Sequence, residues 1–201
     1  MKIPCDTIAR LSHVLSPPDS DVDEAFKCFR LENGMIMASD RNYLVIEEVE
    51  SFQGIYYIRA DAAFIEQCRT EAQFNSVVNF TPVDALRYTT AVTTLGFSVS
   101  ENIGYWPTVP SDFDHWRERI MEPCRTPLET TTGHMTLALP SLVDLLRAAP
   151  SGVVTLEQHL DPRNRPTCVR DSDSPYWVAF FRPSVTDGRS HVAASVPGWC
   201  R

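Results

Sequence analysis

One pattern constrains this chain more than any other. A short strand runs directly into an amphipathic helix and then into several antiparallel strands, and this order occurs twice, from Gly54 and again from Gly133. In the first pass, Ile55–Arg59 is the strand, and Phe64, Ile65, Cys68 and Ala72 share one face of the helix that follows. Strands are then expected at Ser76–Phe80, Ala85–Thr90 and Thr93–Ser100. In the last of these, Leu95, Phe97 and Val99 alternate with Thr94, Gly96, Ser98 and Ser100. In the second pass, Thr136–Leu139 is a short strand, and Pro140 and Ser141 open a helix with Leu142, Leu145, Leu146 and Ala149 on one face. Strands at Val153–Gln158, Arg165–Arg170 and Pro175–Arg182 follow, with turn chemistry at Asp161-Pro162-Arg163-Asn164. The repeat is one of pattern, not of residue identity. It predicts an α+β fold of two packed lobes, each with antiparallel sheet and amphipathic helices on one face.

The remaining segments fit the same frame. A helix is expected from Asp6 to Leu15, with Asp6 as its cap and Ile8, Leu11 and Leu15 as its apolar stripe; Pro17 and Pro18 end it. Ala25–Leu31 and Met35–Ser39 read as two strands of a hairpin. Between them, Asn33-Gly34 is suited to the positive φ angles of a tight turn. Asp40-Arg41-Asn42 turns the chain again, into a strand at Tyr43–Val49. Tyr105–Pro127 carries four prolines and many charges, and reads as a connector with a short helix near Asp112–Met121.

Composition narrows the function classes. With 201 residues and 43% hydrophobic content, the chain can bury a sizeable core. A net charge of −8 argues against a simple nucleic-acid coat, while leaving room for one basic face on an acidic exterior. No apolar run reaches the roughly 20 residues of a membrane helix, and the first residues are too polar for a secretory signal, so a cytoplasmic location without membrane contact is expected. The cysteines, Cys5, Cys28, Cys68, Cys124, Cys168 and Cys200, are dispersed, and no pair has zinc-knuckle spacing. They are expected as reduced, buried hydrophobes.

Signals for chemistry are absent. The eight glycines form no phosphate loop, and the histidines, His13, His115, His134, His159 and His191, share no helix face at metal spacing. Asp112, Asp114 and His115 suit an acidic helix start better than an acid–base site. The stretch from Asp19 to Glu24 lacks the turn glycine and distal Glu of a calcium loop. No catalytic residue, no metal and no cofactor is expected.

Several stretches carry a family resemblance. Leu31 to Asp40 resembles the hairpin of bacterial DNA sliding clamps, the ring-type polymerase processivity factors. Gly54 to Arg69 is similar to that family's second strand-to-helix passage, and Trp106 to Phe113 to the end of a first clamp domain. Leu142 to Arg182 resembles the second half of a final clamp domain, closing on an apolar strand that ends in Arg182. The resemblance runs from Asp6 to Arg182. It implies a complete clamp-like domain at 1–113, a connector at 114–132, a partial domain at 133–183 and a tail at 184–201. A bacterial clamp subunit has three complete domains, whereas this chain matches one complete domain and roughly half of another, with an extra tail at 184–201.

The resemblance also implies roles. Clamps perform no chemistry; their inner helices contact phosphates without reading bases. The matching arginines here are Arg10, Arg69 and Arg147, for which an ordinary role as solvated surface charge stands as the alternative. A clamp's terminal strand forms one wall of a pocket for short apolar peptides. The matching residues are Trp177, Phe180, Phe181 and Arg182, with Phe180 expected to face a partner and Phe181 the core. The implied partners are duplex DNA, a DNA polymerase or another replication protein, and further copies of the chain in a homo-oligomer. Two functions follow: a processivity factor encircling DNA, or a clamp-fold protein-binding module, acting as decoy, adaptor or inhibitor, that does not encircle it.

Overall fold

The computed structural model describes residues 1–40, 43–94, 97–106, 139–157 and 167–181. Its first strand, β1 (Lys2–Pro4), leads into helix α1 (Cys5–Leu11) and then into β2 (Cys28–Glu32), β3 (Met35–Ser39) and β4 (Tyr43–Glu48). The order repeats as β5 (Ile55–Arg59), α2 (Ala62–Ala72), β6 (Val77–Pro82), β7 (Arg87–Thr94) and β8 (Phe97–Tyr105). A third pass gives α3 (Leu139–Ala148), β9 (Val154–Glu157), β10 (Thr167–Asp171) and β11 (Trp177–Phe181). The unit seen twice in the sequence therefore has a further occurrence at the very start of the chain.

The first two units interlock by exchanging their leading strands. β1 pairs with β6, so the first unit's strand extends the second unit's sheet in the order β1-β6-β7-β8. β5 pairs with β2, extending the first unit's sheet. That sheet continues through β4 into the third unit, giving the order β5-β2-β3-β4-β11-β10-β9. Among the described residues all strand pairings are antiparallel.

The turns follow from residue type. Asn33 and Gly34 take φ angles of 49° and 82°, the two positive values that a two-residue hairpin of matching twist requires. Asp61 caps α2 by accepting from the Phe64 N–H at 2.8 Å. The main core lies between the sheets and the helices. It takes Ile8 and Leu11 from α1, Ile65 and Cys68 from α2, Leu145 from α3, and Phe29, Val45, Phe80 and Trp177 from the strands. Met37, Leu44, Ile46 and Phe180 point from the opposite face into a second cluster with Ala25. The central strands are thus buried on both faces, and read as continuous apolar runs rather than strict alternation.

Several boundaries differ from the sequence expectation. α1 ends at Leu11 rather than Leu15, and Pro4 rather than Asp6 occupies its N-cap position. Asp6 instead lies in the first turn and pairs with Arg10 at 2.6 Å. A 3-10 turn at Glu24–Lys27 delays the strand expected from Ala25 until Cys28. The strand pairs expected at Ala85–Thr90 and Thr93–Ser100 are β7 and β8, each placed later in the chain. The helix near Asp112–Met121, the strand at Thr136–Leu139 before Leu139, Cys124 and Cys200 lie outside the described residues. Cys5, Cys28, Cys68 and Cys168 are buried thiols outside any disulfide.

Candidate functional site

Three places carry the features on which a function can be built: the seam where β4 meets β11, the helix layer, and the cleft beside α2.

At the seam, Trp177, Val178, Ala179, Phe180 and Phe181 pair with Glu47, Ile46, Val45, Leu44 and Tyr43. Trp177 and Phe181 enter the main core and Phe180 the second cluster. Phe180 and Phe181 are each only 4% exposed, so the open face expected at Phe180 is covered. Arg182 lies outside the described residues. The exposed aromatic of this segment is Tyr176, one residue before the strand. It borders a cavity of about 390 Å³ at one end of the seam, lined also by Met35, Ile46, Glu48, Pro175 and Val178.

Arg10 is tied to the same seam from beneath. Its guanidinium grips the Glu47 carboxylate in a two-point contact, Nη2 to Oε1 at 2.9 Å and Nη1 to Oε2 at 3.1 Å. Nη1 also donates to the Ala148 carbonyl at 2.7 Å, and Thr7 donates its hydroxyl to Glu47 at 2.7 Å. α1, β4 and the end of α3 are thereby fastened together. Both charged side chains are nearly buried, at 14% and 11% exposed. Burial alone works against the Arg10 charge, but Glu47 and Asp6 outweigh it and hold its pKa above the usual arginine value.

Arg69 and Arg147 are different. They lie at the last turns of α2 and α3 with 45% and 60% of their side chains exposed. Both act electrostatically on His13: its burial pushes its pKa down, and the fields of Arg69 and Arg147 push it further, against Asp144. Each also has an acid within its own helix, Glu66 at 3.6 Å and Asp144 at 3.9 Å. The structure therefore leaves two of the three sequence-predicted arginines largely exposed beside acids of their own helices and commits the third to an internal fastening.

The cleft beside α2 was not anticipated from the sequence. Tyr88 of β7 stands opposite Gly104 of β8. Its ring packs against Trp106 at 4.3 Å between centroids, and Trp106 against Tyr56 at 5.1 Å, so a row of aromatics closes one end of the domain. A cavity of about 290 Å³ opens next to this row, between β5, β7, β8 and the start of α2. Burial pushes the Tyr88 phenol up to about 12, so it is a neutral hydroxyl at any working pH. Among the described residues no group of three or more His, Cys, Asp and Glu side chains is placed to hold a metal ion, and no helix is long and apolar enough to cross a membrane.

No protein-family model matches the sequence, and no curated protein does. Solved structures do match. A DNA polymerase III beta subunit from Eubacterium rectale superposes with a TM-score of 0.55 at 11% identity, over 94% of this chain and 66% of that one. A sliding clamp from Pseudomonas aeruginosa, solved with griselimycin bound, gives 0.56 at 12% identity, over 92% and 65%. The beta sliding clamp of C. crescentus gives 0.58 at 10% identity, over 92% and 65%. The chain spans about two thirds of the length of these clamps. At such identities the likeness establishes the fold, and the fold is that of a sliding clamp.

Proposed function

Given a sliding-clamp fold, we propose that this protein works by binding rather than by chemistry, as a clamp-fold module that engages replication proteins without encircling DNA. The observation that carries this reading is the charge of the helix layer. Phosphate tracking draws on uncompensated positive charge that releases counterions. Here Arg10 is spent on Glu47, and Arg69 and Arg147 each share a helix turn with an acid. The net charge of −8 adds no long-range attraction for a polyanion.

The seam cavity suits a short apolar segment of a partner, with Met35, Ile46 and Val178 as apolar contacts and Tyr176 as the anchor beside them. Trp177, Phe180 and Phe181 then support the site from within, by fixing β11 against β4. The test is a calorimetric titration with a peptide carrying the clamp-binding segment of a replicative DNA polymerase. Micromolar binding is expected, weakened at least tenfold by Tyr176→Ala with the melting temperature retained. Absence of binding, or binding indifferent to Tyr176, contradicts the assignment.

A second reading, a processivity factor on duplex DNA assembled as a homo-oligomer, is favoured by one observation: Arg69 and Arg147 keep 45% and 60% of their side chains exposed at the ends of α2 and α3, within electrostatic reach of His13. A phosphate bound between them would offset both positive charges and raise the His13 pKa. An NMR titration of His13 with and without duplex DNA separates the two readings.

A further inference from the structure

Two hydroxyls open a question that neither reading of the fold answers. Tyr88 and Thr90, two residues apart on one face of β7, are 6% and 7% exposed. Both border the 290 Å³ cavity beside α2. Neither hydroxyl has a hydrogen-bond partner among the described residues. Neither oxygen is sealed off, so both are open to a ligand that enters the cavity.

The rest of the lining is also selective. Asn102 brings a side-chain amide from β8, and Phe64 a ring from α2. Gly104 is required by the geometry: a Cβ there would lie 2.3 Å from the Tyr88 ring and 2.6 Å from its hydroxyl oxygen. The glycine lets the phenol lie close against β8. The two charged residues at the cavity are already engaged, Arg59 with Glu24 at 3.0 Å and Asp61 with the Phe64 N–H at 2.8 Å. That leaves neutral donors and acceptors beside an aromatic ring, in a volume at the small end of the range for ligand sites.

We propose that this cleft is a binding site for a small neutral heterocycle of the nucleobase type, held by the Tyr88 and Thr90 hydroxyls and the Asn102 amide beside the Phe64 ring. Hydrogen bonds to a polar edge together with an aromatic neighbour form the usual environment for an unpaired base. A simple anion is disfavoured because Arg59 already has its carboxylate. The base can be part of a free nucleoside or of a single strand, and the site's chemistry is the same for both. The proposal is independent of the partner site at the seam, since the two cavities share no lining residue.

The test uses the full chain and titrates it, by NMR, with thymidine, cytidine, adenosine and guanosine and with a four-nucleotide single strand of each base. Saturable shifts are expected for at least one base at α2, β7 and β8. Tyr88→Phe and Thr90→Val each remove one hydroxyl and keep the shape. Each is expected to weaken that binding about two- to tenfold, the worth of one hydrogen bond, while melting stays at the native temperature. Tighter binding of the strand than of its nucleoside assigns the source to single-stranded nucleic acid; equal or weaker binding assigns it to the free nucleoside. Absence of saturable shifts for every probe overturns the proposal, as does binding that both variants leave unchanged. If either variant melts well below the native protein, that hydroxyl has a structural role and its part in the proposal is overturned.

Discussion

Replacing Arg10 with alanine removes the group that holds α1, β4 and α3 together and leaves Glu47 buried without its counter-charge. The loss includes a two-point contact to Glu47 and a hydrogen bond to the Ala148 carbonyl. The contact to Asp6 adds little, because Asp6 is 58% exposed and lies on the helix surface. Breaking a buried pair by removing one partner costs about 3–5 kcal/mol. The small residual exposure of both side chains, 14% and 11%, places the cost here near the low end, at about 3 kcal/mol. For a chain of this size that corresponds to a fall in melting temperature of about 6–12 °C. The double variant Arg10→Met, Glu47→Leu removes both charges and fills the space with apolar groups. It is expected to recover most of the loss, apart from the Thr7 hydroxyl, which then lacks its acceptor. Thermal melts of the native protein, Arg10→Met, Glu47→Leu and the double variant close the cycle. A single-variant loss below about 0.5 kcal/mol, within the range of an ordinary surface change, would refute the fastening. So would a double variant no more stable than Arg10→Met.

Other consequences are as direct. Phe180→Ala and Phe181→Ala each empty a buried site, on opposite faces of β11, and each is expected to cost about 3–5 kcal/mol in chemical denaturation; an unchanged midpoint for Phe180→Ala would reopen that face as surface. Burial disfavours the Asp171 charge, but hydrogen bonds from the N–H groups of Ser151, Asp173 and Ser174 and from the Ser151 hydroxyl outweigh it and hold its carboxyl below the usual range. Its folded pKa is thus below its unfolded one, so its contribution is present above about pH 4 and is lost as pH falls through the folded value. Asp171→Ala should therefore destabilise the protein at pH 7 and have a shrinking effect towards pH 2, as read by melts across that range. Burial also pushes the Cys28 thiol up to about 12, with Cys5, Cys68 and Cys168 buried as well. Alkylation of these four at pH 8 should track global unfolding, and fast labelling of the native state at any of them would show that its burial is wrong.

The local features of the fold were legible because they rest on neighbours in sequence. Asn33-Gly34 announces its turn, and the stripe of α2 announces its buried side. β1 was not legible: Lys2-Ile3-Pro4 is too short for alternation, and its pairing partner begins at Val77. Without it, the first strand–helix unit could not be counted. Arg10 looked like a surface cation because its partners are 37 and 138 residues away in the chain. Phe180 looked like a half-exposed strand residue because alternation cannot show that both faces of a central sheet are covered. The cleft lay further out of reach. Tyr88 and Thr90 share a face of β7 by simple periodicity, but the room for the phenol depends on the register that sets Tyr88 against Gly104. Register of that kind is decided by tertiary packing.

The central claim, a clamp fold that binds proteins without holding DNA, is tested most directly by the affinity for a labelled duplex measured against salt. The account predicts weak binding at low salt with a shallow dependence, because each arginine of the helices among the described residues lies beside an acid. Tight binding that falls steeply with salt, and that the pair Arg69→Glu, Arg147→Glu abolishes in a protein melting at the native temperature, would contradict it and establish a phosphate-tracking surface.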